Sequence, residues 1–323
     1  MKKFIKRITT YCAVLFTIVL AVNFCYIKMT AEDSAMNVPE GIQICNFGSS
    51  HGQRGFNYED FKGKYTCSNF GLSSQSLVYD YRILQHYRDK LLPGAVVFID
   101  ASYFSFFGKP EVQGNDFASK NKRYYKFLPP EMIMQYDVKT YIYVNYLPCL
   151  SAEGLASFIK VLLKIDNGSR VFRDNFNCYD EGWNIVTTPH DSEIDAPYAY
   201  DRHIAKRLDE HGRRLRRQES FEAIYGMIDL CLKLGTRPIL VTVPYTHDYT
   251  DFIKQNDPEF FGDFYAVIDE IKRNTGIEYY DYGFDERFRN DYSLFINSDH
   301  MNREGARIFT NTLLREVLSI DIH

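Results

Sequence analysis

The apolar residues of this chain form one long run at the N-terminus and several short runs further on. The long run, Ile8 to Ile27, carries no charge, and four cations lie within the first seven residues. About 20 apolar residues span a bilayer as a helix, and cations ahead of the span favour a cytoplasmic N-terminus. Residues 1–28 are therefore predicted to be a membrane anchor, with a cleaved signal peptide as the alternative. Residues 29–40 read as a polar linker.

The short apolar runs predict buried strands. They cover residues 42–47, 95–100, 239–243 and 277–281, and turn residues bound them. Continuous apolar runs of this length are typical of strands buried on both faces of a parallel sheet.

Segments with helical spacing of apolar residues alternate with these runs. Predicted helices cover residues 76–91, 221–234, 261–274 and 302–318. Strands that alternate with helices predict an α/β domain with a central parallel sheet and helices on both faces, here over residues 41–323.

The middle of the chain, from about 108 to 218, is aromatic and irregular, and is predicted to be an inserted cap. Within it, Leu155 to Ile165 is a candidate helix, and Asp201 to Arg217 reads as a charged helix interrupted at Gly212. The cations of this second helix are interpreted as a solvated face. The alternative is a docking surface for an anionic polymer, lipid headgroups or a partner.

Charge and cysteine content exclude two classes of function. Residues 1–28 hold five of the 38 Lys and Arg residues and no acid, which leaves 33 bases against 42 acids, a net charge of −9. A nucleic-acid partner is therefore not expected, because phosphate binding needs a concentrated basic face. The five cysteines outside the anchor include no CxxC pair, so neither a disulfide framework nor a metal site is predicted. No cofactor is expected.

Ser50 is a candidate nucleophile. It follows the first predicted strand, and ligands of open α/β sheets bind at the carboxyl ends of the strands. Gly48 allows a tight turn there, and the start of a helix offers free N–H groups to an oxyanion. The alternative is that Ser50 only caps the helix.

His300 is a candidate base for that serine. It lies on a predicted loop just before the closing helix, with Asp299 beside it. A serine hydroxyl needs a base within hydrogen-bond reach to act as a nucleophile. The alternative is a surface or helix-capping histidine.

Together these two segments resemble the SGNH/GDSL hydrolase superfamily. Gly48-Ser49-Ser50 stands where that family has Gly-Asp-Ser, and Asn297-Ser298-Asp299-His300 stands where it has Asp-x-x-His. The resemblance implies a three-layer, flavodoxin-like α/β/α fold with Ser50 as nucleophile and His300 as base. The backbone amide of Ser50 would serve the oxyanion hole. In the stretch that matches the second family block, Gly71 and nearby Asn69 are the further candidates, and the alternative for Gly71 is a plain turn glycine.

The acid that orients His300 is open at this point. The family usually has Asp three residues before the histidine, where this chain has Asn297. An acid there orients the imidazole and stabilises its charged form. Asp299 is one substitute, Asn297 as an orienting amide is another, and a Ser–His dyad is the third.

The likeness is nearest to the membrane-anchored, extracytoplasmic branch of that superfamily, which resembles teichoic acid D-alanine transfer proteins and alginate-type O-acetyltransferases. It rests on Gly48-Ser49-Ser50-His51, on Asp299-His300-Met301-Asn302 and on Gly305-Ala306. The implied function is O-acyl transfer to a cell-surface polysaccharide or teichoic acid-like polymer, beside a membrane-bound O-acyltransferase. The alternatives are a secreted carbohydrate esterase acting as a deacetylase and a non-catalytic scaffold of an export complex, which Asn297 favours.

Overall fold

The computed structural model describes residues 1–34, 38–114, 117–150, 152–163, 172–174, 177–179, 181–212 and 214–319. The chain divides into two compact units. One comprises Met1–Met36 and Asn115–Arg170, and the other comprises Asn37–Gly114 and Val171–His323.

The second unit is built on a parallel five-stranded sheet. The strands of the described residues are β1 Ile42–Phe47, β2 Cys67–Asn69, β3 Leu91–Asp100, β4 Phe172–Asp174, β5 Asn177–Tyr179, β6 Arg237–Thr242 and β7 Glu278–Asp281. The sheet has the order β2-β1-β3-β6-β7, and β4 and β5 form a separate antiparallel pair. Without that pair the order is 2-1-3-4-5, the flavodoxin-like arrangement. The predicted α/β fold with a central parallel sheet flanked by helices is confirmed.

The α-helices of the described residues are α1 Lys2–Ser34, α2 Ser50–Gly55, α3 Leu77–Tyr87, α4 Phe117–Asn121, α5 Val138–Asn145, α6 Ala152–Leu162, α7 Pro189–His203, α8 Gln218–Lys233, α9 His247–Asn256, α10 Phe260–Thr275, α11 Glu286–Arg289 and α12 Arg303–Leu318. In the sheet unit α3 packs against α8, and α2 packs against α12.

The core of the sheet unit lies on the central strands. The last six residues of β3 are buried, and β1 and β6 are buried over all but one residue each. Burial on both faces explains why these strands read as continuous apolar runs. Strands β1, β3, β6 and β7 correspond to the predicted strands, and α3, α8, α10 and α12 to the predicted helices.

The prediction of a helix over Asp201 to Arg217 is wrong. Helix α7 begins earlier, with Thr188 as its N-cap, and ends at His203. The Arg207 guanidinium donates to the His203 carbonyl at 2.8 Å, so it satisfies a carbonyl at the end of α7. Gly212 then adopts a φ of +74°, which lets the chain turn toward α8.

The first unit contains α1 and α4 to α6. Within residues Lys2–Lys28 of α1, the most apolar 18-residue window has a mean hydropathy of 2.0, and only 6% of that window is buried. This helix is long and apolar enough to cross a membrane. It continues to Ser34, so the first part of the predicted linker is helical. Of the predicted insertion, residues 115–170 belong to this unit and 171–218 belong to the sheet unit.

Candidate active site

Ser50 lies on a tight turn between β1 and α2. Gly48 has a φ of +148°, and a Cβ there would stand 2.5 Å from the Cβ of Asp100, so only glycine fits. The N-cap of α2 is Ser49, whose hydroxyl accepts the His51 N–H at 3.3 Å. Because Ser49 fills the capping position, the half-exposed Ser50 hydroxyl is left to face the histidine loop.

His300 is brought to Ser50 from the loop before α12. An antiparallel β-bridge pairs Phe295 with Met301 across the loop. Asn302 caps α12 by accepting the Gly305 N–H at 2.9 Å. The Nε2 of His300 then lies 2.8 Å from the Ser50 hydroxyl. A serine within this distance of an imidazole has its base in place.

Two side chains face the other ring nitrogen of His300. Its Nδ1 lies 2.8 Å from Asp299 Oδ1 and 3.2 Å from Asn297 Oδ1. Asn297 Oδ1 also accepts the backbone N–H of His300 at 2.9 Å. With Nδ1–H donated to the Asp299 carboxylate, Nε2 is the nitrogen that accepts the Ser50 proton.

Asp299 is the shared acceptor of several donors. Its side chain is fully buried, and its carboxylate lies 2.9 Å from His203 Nε2, 3.4 Å from His51 Nε2 and 3.3 Å from Arg202 Nη2. Burial raises the pKa of this carboxyl. The facing His300 and the hydrogen bond from His203 outweigh burial, and they hold the pKa of Asp299 well below its usual range.

Two further histidines, His51 and His203, for which the sequence alone indicates no role, lie beside this carboxylate. The His51 ring stacks on the His300 ring with centroids 4.4 Å apart and planes inclined by 6°. The His203 ring stacks on Phe104 at 4.4 Å. Burial lowers the pKa of both histidines, that of His203 to about 3, so both are neutral near pH 7. His51 could have been found from its place in the Gly48-Ser49-Ser50-His51 motif. His203 could not, because it lies in the segment wrongly predicted as a helix from Asp201 to Arg217.

The two further oxyanion candidates are engaged with each other. Gly71 N–H donates to Asn69 Oδ1 at 2.9 Å, and the Asn69 amide donates to the carbonyls of Gln53 and Phe56 at 3.0 and 3.1 Å. A Cβ on Gly71 would stand 2.5 Å from the Gln53 nitrogen. In this geometry both residues brace α2, and the third predicted donor, the backbone N–H of Ser50, lies in the first turn of α2.

Two buried carboxyls support the turn from below. Asp80 accepts the Gly48 N–H at 3.0 Å and the Gln75 amide at 2.6 Å, and Asp100 accepts the Ser102 hydroxyl at 2.6 Å. Burial raises the pKa of Asp80 to about 8 and that of Asp100 to about 6. The backbone around Gly48 is thus fixed by hydrogen bonds as well as by close packing.

His51, His203 and Asp299 offer ligand atoms within 4.8 Å of one another, a spacing that a metal ion could bridge. The same carboxylate already accepts from His300 and lies beside the Arg202 guanidinium. That guanidinium opposes a second cation, and the carboxylate already lies in contact with His203 and His300.

Two arginines of the basic segment after α7 are paired within the sheet unit. Arg207 donates to the Phe107 carbonyl at 2.9 Å, and Arg214 binds Asp257 at 2.8 Å and Asp263 at 2.8 Å. Burial lowers the pKa of Arg207 to about 10. For Arg207 and Arg214 the interpretation as a solvated helix face is therefore wrong, because carboxylates and carbonyls of the same unit satisfy them, whereas Lys206 and Arg216 are exposed.

No family model matches the sequence. No curated protein matches it either. Among solved structures, the chain is similar to a candidate acylhydrolase from Bacteroides fragilis NCTC 9343, at 13% sequence identity and a TM-score of 0.36, over 90% of this chain and 94% of that chain. A likeness this distant does not assign an activity, so the function is argued from the geometry of the site.

Proposed function

We propose that this protein is a serine-dependent acyl-transfer enzyme that works through an acyl-Ser50 intermediate. The observation that supports it most is the continuous chain of hydrogen bonds from the Ser50 hydroxyl to His300 Nε2 and from His300 Nδ1 to Asp299, each 2.8 Å long. A nucleophile, a base within reach and a third group that orients the base are the parts that such catalysis needs.

The first half-reaction forms the acyl-enzyme. As the Ser50 oxygen bonds to the acyl carbon, its proton passes to His300 Nε2, and the carbonyl oxygen becomes an oxyanion near the Ser50 N–H. The tetrahedral intermediate then expels the leaving group, which takes the proton from His300. In the second half-reaction His300 removes a proton from an acceptor hydroxyl, that oxygen bonds to the acyl carbon, and Ser50 leaves with the proton restored.

Asp299 acts as the acid of this arrangement. Its ionised carboxylate stabilises the positive charge that His300 carries in both half-reactions. Asn297 holds the loop by accepting the His300 backbone N–H. The imidazole therefore keeps a negative partner, Asp299, although Asn297 stands where the similar family usually has Asp.

The acceptor is proposed to be a hydroxyl of a cell-surface polysaccharide or teichoic acid-like polymer. The apolar helix α1 supports a location at a membrane, and the resemblance of the Ser50 and His300 segments supports O-acyl transfer. A membrane-bound O-acyltransferase would supply the acyl group. The second candidate is a carbohydrate deacetylase, favoured by the half-exposed position of Ser50, where water can reach the acyl-enzyme.

Trapping of the acyl-enzyme tests the chemistry. The full chain in detergent is incubated with p-nitrophenyl acetate, and Ser50 is examined by peptide mass spectrometry. One acetyl group on Ser50 is expected in the wild type and none in Ser50→Ala. A folded wild type that carries no acetyl on Ser50 would instead support the non-catalytic scaffold.

Partition of the intermediate separates the two candidate activities. The acetylated enzyme is given polysaccharide or teichoic acid acceptors, and acetate release is compared with acetyl ester on the polymer. Acceptor-dependent ester formation is expected for a transferase. Acetate release that no acceptor changes would assign the deacetylase.

A further inference from the structure

Helix α1 carries one buried polar side chain in its apolar run. Asn23 is 1% exposed, whereas Leu15, Leu20 and Phe24 on the same helix are 58%, 43% and 62% exposed. Its amide donates to the Val19 carbonyl at 2.8 Å. A polar side chain at membrane depth is costly unless it is covered and paired, so what covers Asn23 is informative.

The cover comes from the segment between α5 and α6. The backbone N–H of Cys149, in the short 3-10 turn Pro148–Leu150, donates to Asn23 Oδ1 at 2.8 Å. The ring of Phe158 on α6 meets the ring of Tyr26 edge to face, with centroids 6.0 Å apart. Both contacts tie this segment to the last turns of the apolar run.

The positions of these contacts along α1 set a depth. At a rise of 1.5 Å per residue, Asn23 lies about 6 Å and Tyr26 about 1.5 Å inside the end of the run at Ile27. If α1 spans the bilayer, the turn at Cys149 and the middle of α6 are held at the boundary between acyl chains and headgroups.

The surface of this segment is apolar. In α6, Phe158 faces α1, while Leu155, Ile159 and Leu162 at helical spacing are 46%, 46% and 53% exposed. Among the described side chains from α5 to the residue after α6, further exposed apolar and aromatic ones are those of Val138, Ile142, Tyr143, Tyr146, Leu150 and Leu163. Tyrosines of this kind favour the membrane interface, and an amphipathic helix at that level buries its apolar face in lipid.

We propose that α5, the turn Pro148–Leu150 and α6 form an interfacial segment whose exposed apolar side chains lie in the lipid of the membrane boundary. The proposal rests on α1 spanning the bilayer and not on the chemistry at Ser50. Lipid is the occupant because the hydrogen bond to Asn23 and the ring contact with Tyr26 fix the depth of the segment, and lipid is what surrounds α1 at that depth. The segment thus adds a second membrane contact to the anchor.

Quenching of tryptophan fluorescence by brominated lipid tests this placement. The chain has one tryptophan, Trp183, which is 1% exposed, so an added tryptophan reports its own surroundings. Full-length variants are reconstituted into phosphatidylcholine vesicles with or without bromine on the acyl chains. Ile159→Trp and Leu162→Trp probe the segment, Leu15→Trp probes the anchor, and Leu232→Trp is an exposed apolar control on α8.

The expected result is strong quenching of Leu15→Trp, Ile159→Trp and Leu162→Trp, with Leu232→Trp no more quenched than the wild type. Quenching of Leu15→Trp without quenching of the two α6 variants would overturn the proposal while the anchor stands. This holds even if the emission of the α6 tryptophans is blue-shifted, because protein and not lipid would then cover them. Absence of quenching at Leu15→Trp would remove the anchor and the proposal together. Neither outcome bears on the proposed chemistry at Ser50, because acylation of Ser50 is measured in a separate experiment.

Discussion

The turn that carries Ser50 and the loop that carries His300 meet at one hydrogen bond, but different interactions hold them in place. The turn is fixed by backbone packing, because Gly48 and Gly71 stand where any Cβ would collide with a neighbour. The loop is fixed by charge, because His300 shares the buried Asp299 carboxylate with His203. Steric packing thus positions the nucleophile, and hydrogen bonds to a buried carboxylate position the base.

Removal of the base should have the largest effect. His300→Ala is expected to lower kcat/KM by about 10⁴-fold or more toward an activated ester, since the Ser50 hydroxyl loses its proton acceptor. The His300 side chain is 12% exposed and bonds to the buried Asp299, so the thermal midpoint is measured alongside to show that the variant is folded. Activity within 10-fold of the wild type would show that another group deprotonates Ser50.

The next variants separate the two partners of His300 Nδ1. Asp299→Asn is expected to lower kcat/KM by about 10³- to 10⁴-fold, because the histidine cation loses its negative partner. Asn297→Ala should cost about 10-fold, the value of one hydrogen bond that orients the loop. The reverse order of these losses in steady-state assays would assign the orienting role to Asn297.

A methyl group added at Gly71 tests the packing that fixes the turn carrying Ser50. Gly71→Ala places a Cβ 2.5 Å from the Gln53 nitrogen, so α2 must shift. We expect a loss of about 1–3 kcal/mol in stability and about 10²-fold in kcat/KM. Gly262→Ala on α10 is the matched control, since nothing lies within 4 Å of its Cβ. Equal activity of the two variants would show that close packing at Gly71 does not position Ser50.

The strands, the closing helix and the segments of Ser50 and His300 could be predicted from the sequence because each is encoded locally. The apolar run Ile42–Phe47 followed by Gly48 specifies a buried strand and a sharp turn. Asn302, followed by apolar residues at helical spacing, specifies the start of α12. Local rules of periodicity and capping are sufficient for such elements.

The network around Asp299 could not be predicted in this way, because its members come from distant parts of the chain. His203 reaches the carboxylate only because α7 ends there, and that end depends on Arg207 bonding to carbonyls of His203 and Phe107. The role of Gly71 was hidden for the same reason. Its close approach to α2 exists only after the strands pair, so the sequence offered only an oxyanion-hole donor or, alternatively, a turn glycine.

A smaller effect is expected from His203, which acts on the base through Asp299. His203→Ala should lower kcat/KM by about 10-fold and move the acidic limb of its pH profile upward, because loss of this donor raises the pKa of Asp299. His203→Gln, which keeps a hydrogen-bond donor, should restore most of the kcat/KM and most of the position of the acidic limb. A profile that stays unchanged in His203→Ala would limit this histidine to packing.

The smallest effect concerns stability against pH. The pKa of His203 is lowered to about 3 in the fold, against about 6.5 when unfolded, so the unfolded chain binds the extra proton between those values. Its contribution to stability is complete above pH 6.5 and is lost as the pH falls toward 3. His203→Gln should therefore lose fewer degrees of thermal midpoint between pH 7 and pH 5 than the wild type. A loss of thermal midpoint in His203→Gln equal to or larger than that of the wild type would contradict the expected direction of the pH dependence.

Labelling with a fluorophosphonate tests most directly whether His300 activates Ser50. The probe bonds only to an activated serine, whatever acyl donor the enzyme uses, and labelled peptides are mapped by mass spectrometry in the wild type, Ser50→Ala and His300→Ala. The account predicts rapid labelling of Ser50 in the wild type, none in Ser50→Ala and labelling slowed by orders of magnitude in His300→Ala. A folded wild type that stays unlabelled, or a His300→Ala variant that is labelled equally fast, would contradict it.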